Sequence, residues 1–151
     1  MKNRNFKPKF TTNTEKNTMA RTESKMLPLG TKAPDFTLID AVTNKPVSLK
    51  NVRGEKGTVI MFICNHCPFV KHVNEEIVRI CNDYRVTGFG FVAINSNDVI
   101  NYPDDSPAKM WVTARKHNYT FPYLFDETQE VAKAYDAACT PDFFGFDAKG
   151  G

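Results

Sequence analysis

The stretch TVIMFICNHCPFVKH, residues 58–72, joins two sequence patterns of different period. Residues 58–63 form a continuous apolar run rich in β-branched side chains, which is typical of a strand covered on both faces. From Pro68 onward the apolar residues fall at helical spacing, and a proline is tolerated in the first turn of a helix. The pattern therefore predicts a strand that runs into a helix beginning at about Asn65, with two cysteines at the junction.

Cys64 and Cys67 allow three interpretations: a redox-active pair, part of a metal site, or two buried core thiols. Their position favours the redox pair, because the amide groups and the dipole at a helix N-terminus stabilise a thiolate. Cys64 is then the nucleophile, Cys67 resolves the mixed disulfide, and His66 between them favours the Cys64 thiolate. A structural zinc site usually needs four ligands, and the sequence has no second pair with this spacing. A thiophilic copper site formed by both cysteines and a histidine stays an alternative.

Charge is unevenly distributed along the chain of 151 residues, a length typical of one domain. Residues 1–26 hold seven Lys or Arg against two Asp or Glu and show no hydrophobic periodicity, which predicts a disordered basic tail. Residues 27–151 hold thirteen against fifteen and form the predicted domain, so neither nucleic-acid binding nor a membrane is expected. The sequence shows no secretory signal pattern, and we expect a cytoplasmic location.

Strands alternate with helices along the predicted domain, which indicates an α/β fold with a central sheet. The final stretch, FFGFDAKGG, reads as the first arm of a hairpin, so the sequence predicts a domain whose last strand and helix are missing. The other elements are predicted as a hairpin of residues 36–39 and 47–49, a strand at 88–95, a helix at 107–117, a short strand at 121–126, a helix at 127–137 and a strand after Thr140-Pro141.

Five stretches together resemble the thioredoxin-like redoxins, the group that includes the AhpC/TSA and TlpA/ResA-type proteins. They are GTKAPDFTLID, VIMFICNHCPFV, GFVAINSND, FPYLFDETQEVAKAYDA and CTPDFFGFDAKG. The resemblance implies a thioredoxin fold, with a central mixed sheet flanked by helices, an N-terminal β-hairpin and an inserted helix. It also implies thiol–disulfide exchange at Cys64 and Cys67, and a cis peptide at Thr140–Pro141 facing them. Asp98 matches the acidic residue that assists proton transfer in the TlpA/ResA branch.

The sequence departs from two branches of this group. Peroxiredoxins carry Pro and Thr seven and three residues before the peroxidatic cysteine. Here these positions are Ile60 and Cys64 before Cys67, and Gly57 and Met61 before Cys64. The copper-carrying relatives have three residues between the cysteines and a histidine late in the chain, whereas this pair is separated by two residues.

The sequence thus predicts a thiol–disulfide oxidoreductase without a bound cofactor, in which Cys64 and Cys67 react, assisted by His66, Asp98 and the Thr140–Pro141 segment. A peroxide-consuming antioxidant redoxin and a thiol-based copper carrier are the alternatives. Substrates are expected to be protein or small-molecule disulfides and thiols, with a reductant protein or a low-molecular-weight thiol as the electron source. Cys139 is interpreted as a third redox thiol, a metal ligand or a small packing residue, and Cys81 as a core residue.

Overall fold

A computed structural model describes residues 31–66, 68–137 and 140–149, with the backbone alone for residues 68–72. The predicted tail of residues 1–26, Cys67 and Cys139 lie outside the described residues. The elements are β1 (Thr37–Asp40), β2 (Pro46–Ser48), α1 (Leu49–Val52), β3 (Gly57–Phe62), α2 (Pro68–Arg85), β4 (Phe89–Asn95), a 3-10 turn (Pro103–Asp105), α3 (Pro107–Lys116), β5 (Tyr123–Phe125), α4 (Glu130–Tyr135) and β6 (Asp142–Asp147).

The strands form one six-stranded mixed sheet in the order β2-β1-β5-β4-β3-β6. β3 is parallel to β4 and antiparallel to β6, and β4 is parallel to β5. β1 and β2 form the predicted antiparallel hairpin, which joins the sheet through β5. The predicted central mixed sheet, N-terminal hairpin and inserted helix α3 are therefore confirmed.

The sheet is covered on both faces, as the continuous apolar run of β3 predicts. Ile60 and Phe62 lie in the core cluster that includes residues of α1 and α4. Met61 and Ile63 lie in the opposite cluster, beside residues of α2 and α3. The helices α2 and α3 share a face because β3 to β4 and β4 to β5 step in the same direction along the sheet, and parallel crossovers have one hand.

Local capping explains where two of the helices begin. Ser106 accepts a hydrogen bond from the Lys109 backbone at 3.3 Å, and Pro107 follows, so α3 begins where the Ser-Pro pair predicts. The helix predicted at residues 127–137 is shorter and begins at Glu130. The Asp126 carboxylate accepts the backbone N–H of Ala132 at 2.9 Å, which stabilises this later start.

The helix predicted to begin at about Asn65 is described from Pro68 instead. The Asn65 backbone N–H donates to the Asp105 carboxylate, a partner 40 residues away in the chain. Residues 65 and 66 form a bend, and this long-range contact holds them outside the helix. No helix within the described parts of the chain has both the length and the apolar character needed to cross a membrane.

Candidate active site

Cys64 lies directly beyond β3, at the edge of the sheet where the parallel strands end. The strand geometry extends to Ile63, whose N–H donates to the Ile94 carbonyl at 3.0 Å. Cys64 is buried, with 2% of its surface exposed, and its Sγ lies 3.5 Å from Oγ1 of Thr140. The Thr140–Pro141 peptide bond is cis. The fold therefore brings together the two segments that the sequence analysis singled out, 76 residues apart.

Asp105 is the buried centre of a hydrogen-bond network beside Cys64. Its Oδ1 accepts the Asn65 backbone N–H at 2.5 Å and Nδ2 of Asn95 at 3.0 Å. Its Oδ2 accepts a hydrogen bond from Nδ2 of Asn97 at 3.0 Å and also contacts Nδ1 of His66. One fully buried carboxylate thus holds both residues that separate the two cysteines.

The same network explains the charge of Asp105. Burial by itself raises the pKa of a carboxyl group, because it removes water from the charged form. Here the hydrogen bonds from Asn97, the Asn65 backbone, Asn95 and His66 outweigh burial, and the pKa of Asp105 is lowered below its usual value. Asp105 is therefore a carboxylate anion at neutral pH.

His66 is held on two sides by the loop that follows β4. Its ring stacks on Tyr102 with centroids 4.5 Å apart and planes 12° from parallel, and 32% of its side chain is exposed. An ionised carboxylate accepts but does not donate, so the contact with Asp105 places a proton on Nδ1 of His66. Nε2 is then the nitrogen of His66 that is left to exchange protons.

Asn65 is fixed by a second chain of hydrogen bonds. Its Nδ2 donates to the Asp104 carbonyl at 2.8 Å, and its Oδ1 accepts the Tyr123 hydroxyl at 2.8 Å. Nδ2 of Asn95 reaches the same hydroxyl at 3.3 Å. Burial raises the pKa of Tyr123 well above its usual value, so this phenol stays protonated and donates. These bonds tie the Cys64 segment to β4 and β5.

Asp98, the acid chosen from the sequence, contacts its own loop. Its carboxylate accepts the Ile100 backbone N–H at 2.9 Å and Nδ2 of Asn101 at 2.6 Å. Among the described residues, the carboxylate that contacts His66 is Asp105, seven positions later. The sequence signal reaches only the loop, because loops that follow neighbouring parallel strands meet at one sheet edge and this loop holds three acidic residues.

Cys81 is a core residue, as predicted. It lies on α2 with 2% of its surface exposed, among Ile77 and Met110. Burial raises the pKa of its thiol to about 12. Cys81 is therefore an inert thiol, whereas Cys64 lies beside polar and ionisable groups.

The set Cys64, His66 and Asp105 offers sulfur, nitrogen and oxygen atoms within 4.8 Å of one another. A metal ion bound there would compete with the existing bonds, because each oxygen of Asp105 already accepts two hydrogen bonds. The described side chains therefore fit a hydrogen-bonded proton network better than a metal site.

A cysteine placed after a buried parallel strand, ahead of a long helix and beside a cis X-Pro segment, defines a thioredoxin-like redoxin. Residues 29–151 match the AhpC/TSA family model, and the chain belongs to the AhpC/TSA family. This places it among the peroxiredoxins and thiol–disulfide oxidoreductases, a family of redox enzymes.

Three similar proteins illustrate what the chain resembles in sequence and in fold. The Mycobacterium tuberculosis protein "Putative peroxiredoxin Rv2521" is 29% identical over 129 residues, covering 85% of this chain and 76% of that protein. An uncharacterized conserved protein from Geobacillus kaustophilus is 59% identical with a TM-score of 0.83, covering 84% of this chain and 67% of that one. A secreted disulfide oxidoreductase of M. tuberculosis homologous to E. coli DsbE shares the fold, with a TM-score of 0.64, 20% identity, and 77% and 78% of the two chains covered.

Proposed function

We propose that the protein is a thiol–disulfide oxidoreductase in which Cys64 is the nucleophile and Cys67 the resolving thiol. The Cys64 thiolate attacks one sulfur of a substrate disulfide, and the other sulfur leaves as a thiolate that takes up a proton. Cys67 then attacks the Cys64 sulfur and releases the second substrate thiol. The substrate gains two electrons and two protons, and the 64–67 pair becomes a disulfide that a reductant protein or a low-molecular-weight thiol reduces again.

The observation that carries this proposal is the placement of Cys64. It lies just beyond the end of β3, with its Sγ 3.5 Å from Oγ1 of Thr140 and within 4.8 Å of ionisable atoms of His66 and Asp105. A thiol buried only for packing, such as Cys81, has its pKa raised by an apolar environment. Cys64 instead has the His66 imidazole and the Asp105 carboxylate beside it, and a reacting thiol needs a group that exchanges protons.

Access to Cys64 restricts the substrate. The residue is 2% exposed, whereas 32% of the His66 side chain is exposed and Thr140 is half-buried. A substrate disulfide therefore approaches across His66 and Thr140, and an extended segment fits this route better than a disulfide buried in a folded protein.

The test is thiol trapping of the full chain and its Cys64→Ser and Cys67→Ser variants, with Cys81→Ser as the matched control. Intact mass should show a reversible loss of two hydrogen atoms, about 2 Da, in the parent protein and in Cys81→Ser. Cys67→Ser should accumulate a mixed disulfide with glutathione or a disulfide-containing peptide, and Cys64→Ser should not. Trapping by Cys64→Ser alone would reverse the two roles, and a parent protein that forms no 64–67 disulfide would refute the proposal.

A peroxide-consuming redoxin is the second candidate, favoured by the AhpC/TSA match and by the peroxiredoxin name of Rv2521. Its distinguishing measurement is hydrogen peroxide consumption with dithiothreitol as reductant, beside reduction of insulin disulfides by the same preparation. Rapid peroxide loss that depends on Cys64, without insulin reduction, would favour the peroxidase. Insulin reduction with peroxide loss at the rate of dithiothreitol alone would favour the oxidoreductase.

A further inference from the structure

We propose that Asp105 is a positioning residue for the reaction of Cys64, acting through His66. It fixes the imidazole with its Nδ1 proton on the carboxylate, which makes Nε2 the atom that accepts the Cys64 proton and returns it to the leaving thiolate. The inference rests on the proposed role of Cys64 as nucleophile.

The first support is that Asp105 has an arrangement suited to hold a ring rather than to react itself. The residue is fully buried, and both of its oxygens accept two hydrogen bonds each. Substrate therefore has no direct route to this carboxylate. His66, in contrast, is partly exposed at the surface beside Cys64.

The second support is that two contacts determine the orientation of the His66 ring. Asp105 binds Nδ1, and Tyr102 covers one face of the ring. A histidine used only for packing does not need a fixed tautomer, whereas a proton carrier does, because the other nitrogen must be free.

The third support is the link to the main chain next to the nucleophile. Oδ1 of Asp105 accepts the N–H of Asn65, the residue that directly follows Cys64. The same carboxylate therefore fixes the main chain after the thiol and the side chain that serves it. One ring nitrogen of His66 lies within 4.8 Å of the Cys64 Sγ, a separation that one bridging water spans.

Every proton is accounted for when Cys64 attacks the substrate disulfide. The Cys64 thiol first gives its proton to Nε2 of His66, and the resulting thiolate attacks one sulfur of the substrate disulfide. The S–S bond of the substrate breaks, and the leaving sulfur takes the proton from Nε2. The products are the mixed disulfide on Cys64 and one substrate thiol, with His66 and Asp105 returned to their starting states.

The kinetic test uses a background that carries Cys67→Ser and Cys139→Ser, so that the reaction ends at the mixed disulfide on Cys64. The measured quantity is the rate of exchange with glutathione disulfide at neutral pH, followed by intact mass. Asp105→Asn and His66→Gln should each slow the exchange roughly 10²-fold, the lower range for a positioned acid–base group. The matched control is Asp83→Asn, the same substitution at an exposed carboxylate of α2, which should leave the rate unchanged.

The double variant separates positioning from a general structural effect. If Asp105 acts through His66, Asp105→Asn should cause no further slowing in the His66→Gln background. Slowing by the same factor in both backgrounds would show that Asp105 affects Cys64 without His66 and would overturn the inference.

A spectroscopic measurement covers the case in which Asp105→Asn does not fold. Nitrogen-15 shifts of His66 in the parent chain, at alkaline pH where imidazoles are neutral, should show the proton on Nδ1. A proton on Nε2 would overturn the inference. This readout does not depend on any oxidoreductase activity, so it can fail or succeed independently of the proposed function.

Discussion

Removal of the buried Asp105 carboxylate should destabilise the fold far more than removal of the exposed Asp104 carboxylate next to it. Asp105→Ala leaves two buried donors, the Asn65 N–H and Nδ2 of Asn95, without the carboxylate. An unsatisfied buried donor costs about 1–3 kcal/mol. Asn97 and His66 are partly exposed, and water replaces their lost acceptor at little cost.

The net cost is smaller than the sum of these losses, for two reasons. Nδ2 of Asn95 keeps the Tyr123 hydroxyl at 3.3 Å, and the variant no longer has to desolvate a carboxylate. We therefore expect a loss of about 3 kcal/mol in the free energy of unfolding. With a urea dependence of about 2 kcal/mol per molar, this lowers the unfolding midpoint by about 1.5 M.

The assay is urea unfolding of the full chain, followed by far-ultraviolet circular dichroism and by the fluorescence of Trp111, the single tryptophan. Asp104→Ala is the matched control, because that side chain is exposed and its backbone carbonyl is retained. It should change stability by less than about 0.5 kcal/mol. If Asp105→Ala lies within about 1 kcal/mol of this control, the carboxylate does not organise the site as we describe.

Three further predictions concern the titration of Asp105, the reactivity of the cysteines and a buried hydrogen bond of Tyr123. Because the pKa of Asp105 is lowered in the folded chain, its ionised form stabilises the fold at pH values above the ordinary carboxyl pKa of about 3.9, and this stabilisation is lost as pH falls through the lower folded value. The urea midpoints of the parent and of Asp105→Asn should therefore converge between pH 6 and pH 3. A constant difference between the two midpoints would contradict this. Cys81, with a pKa of about 12, should resist iodoacetamide at pH 8 until urea unfolds the chain, whereas the buried Cys64 should react faster with the small N-ethylmaleimide than with a maleimide that carries a bulky group. Peptide mass spectra should show this order, and labelling of Cys81 in the folded chain or equal rates of Cys64 with the two maleimides would refute it. Tyr123→Phe removes the hydroxyl that donates to Oδ1 of Asn65 and should lower the free energy of unfolding by about 1–2 kcal/mol in the same urea assay. An unchanged stability would mean that water replaces this hydroxyl and would contradict the prediction.

The elements that the sequence predicts well are those decided by local chemistry. The Ser106-Pro107 pair begins α3 because a side-chain cap and a missing N–H act within one turn. The buried run of β3 and the hairpin of β1 and β2 follow from side-chain periodicity in the same way. Trp111 shows the limit of this reasoning, since a large aromatic side chain on a helix is expected to be packed, yet Trp111 is 41% exposed, with the Arg115 guanidinium 5.0 Å from its ring centre.

The sequence predicts those site residues that lie in one short motif or that the family resemblance brings together. Cys64 and His66 follow from the Cys-x-x-Cys pattern, and the place of Thr140 beside Cys64 follows from the fold that the resemblance implies. The identity of the buried carboxylate does not follow from the sequence, because Asp98, Asp104 and Asp105 lie in one loop and their spacing does not distinguish them. Only the folded chain distinguishes Asp105, because the 3-10 turn brings its carboxylate to the backbone N–H of Asn65, 40 residues earlier in the chain.

The burial of Asp105 is itself an argument for function. An apolar residue of similar volume is often as stabilising as a buried charge and needs no desolvation. A fold selected for stability alone therefore has little reason to place a fully buried carboxylate beside a thiol. The four donors that satisfy it come from β4, the following loop and both residues after Cys64. Because local rules are broken mainly at functional sites, the cost of this arrangement is best explained by what it fixes, namely the main chain after Cys64 and the proton of His66.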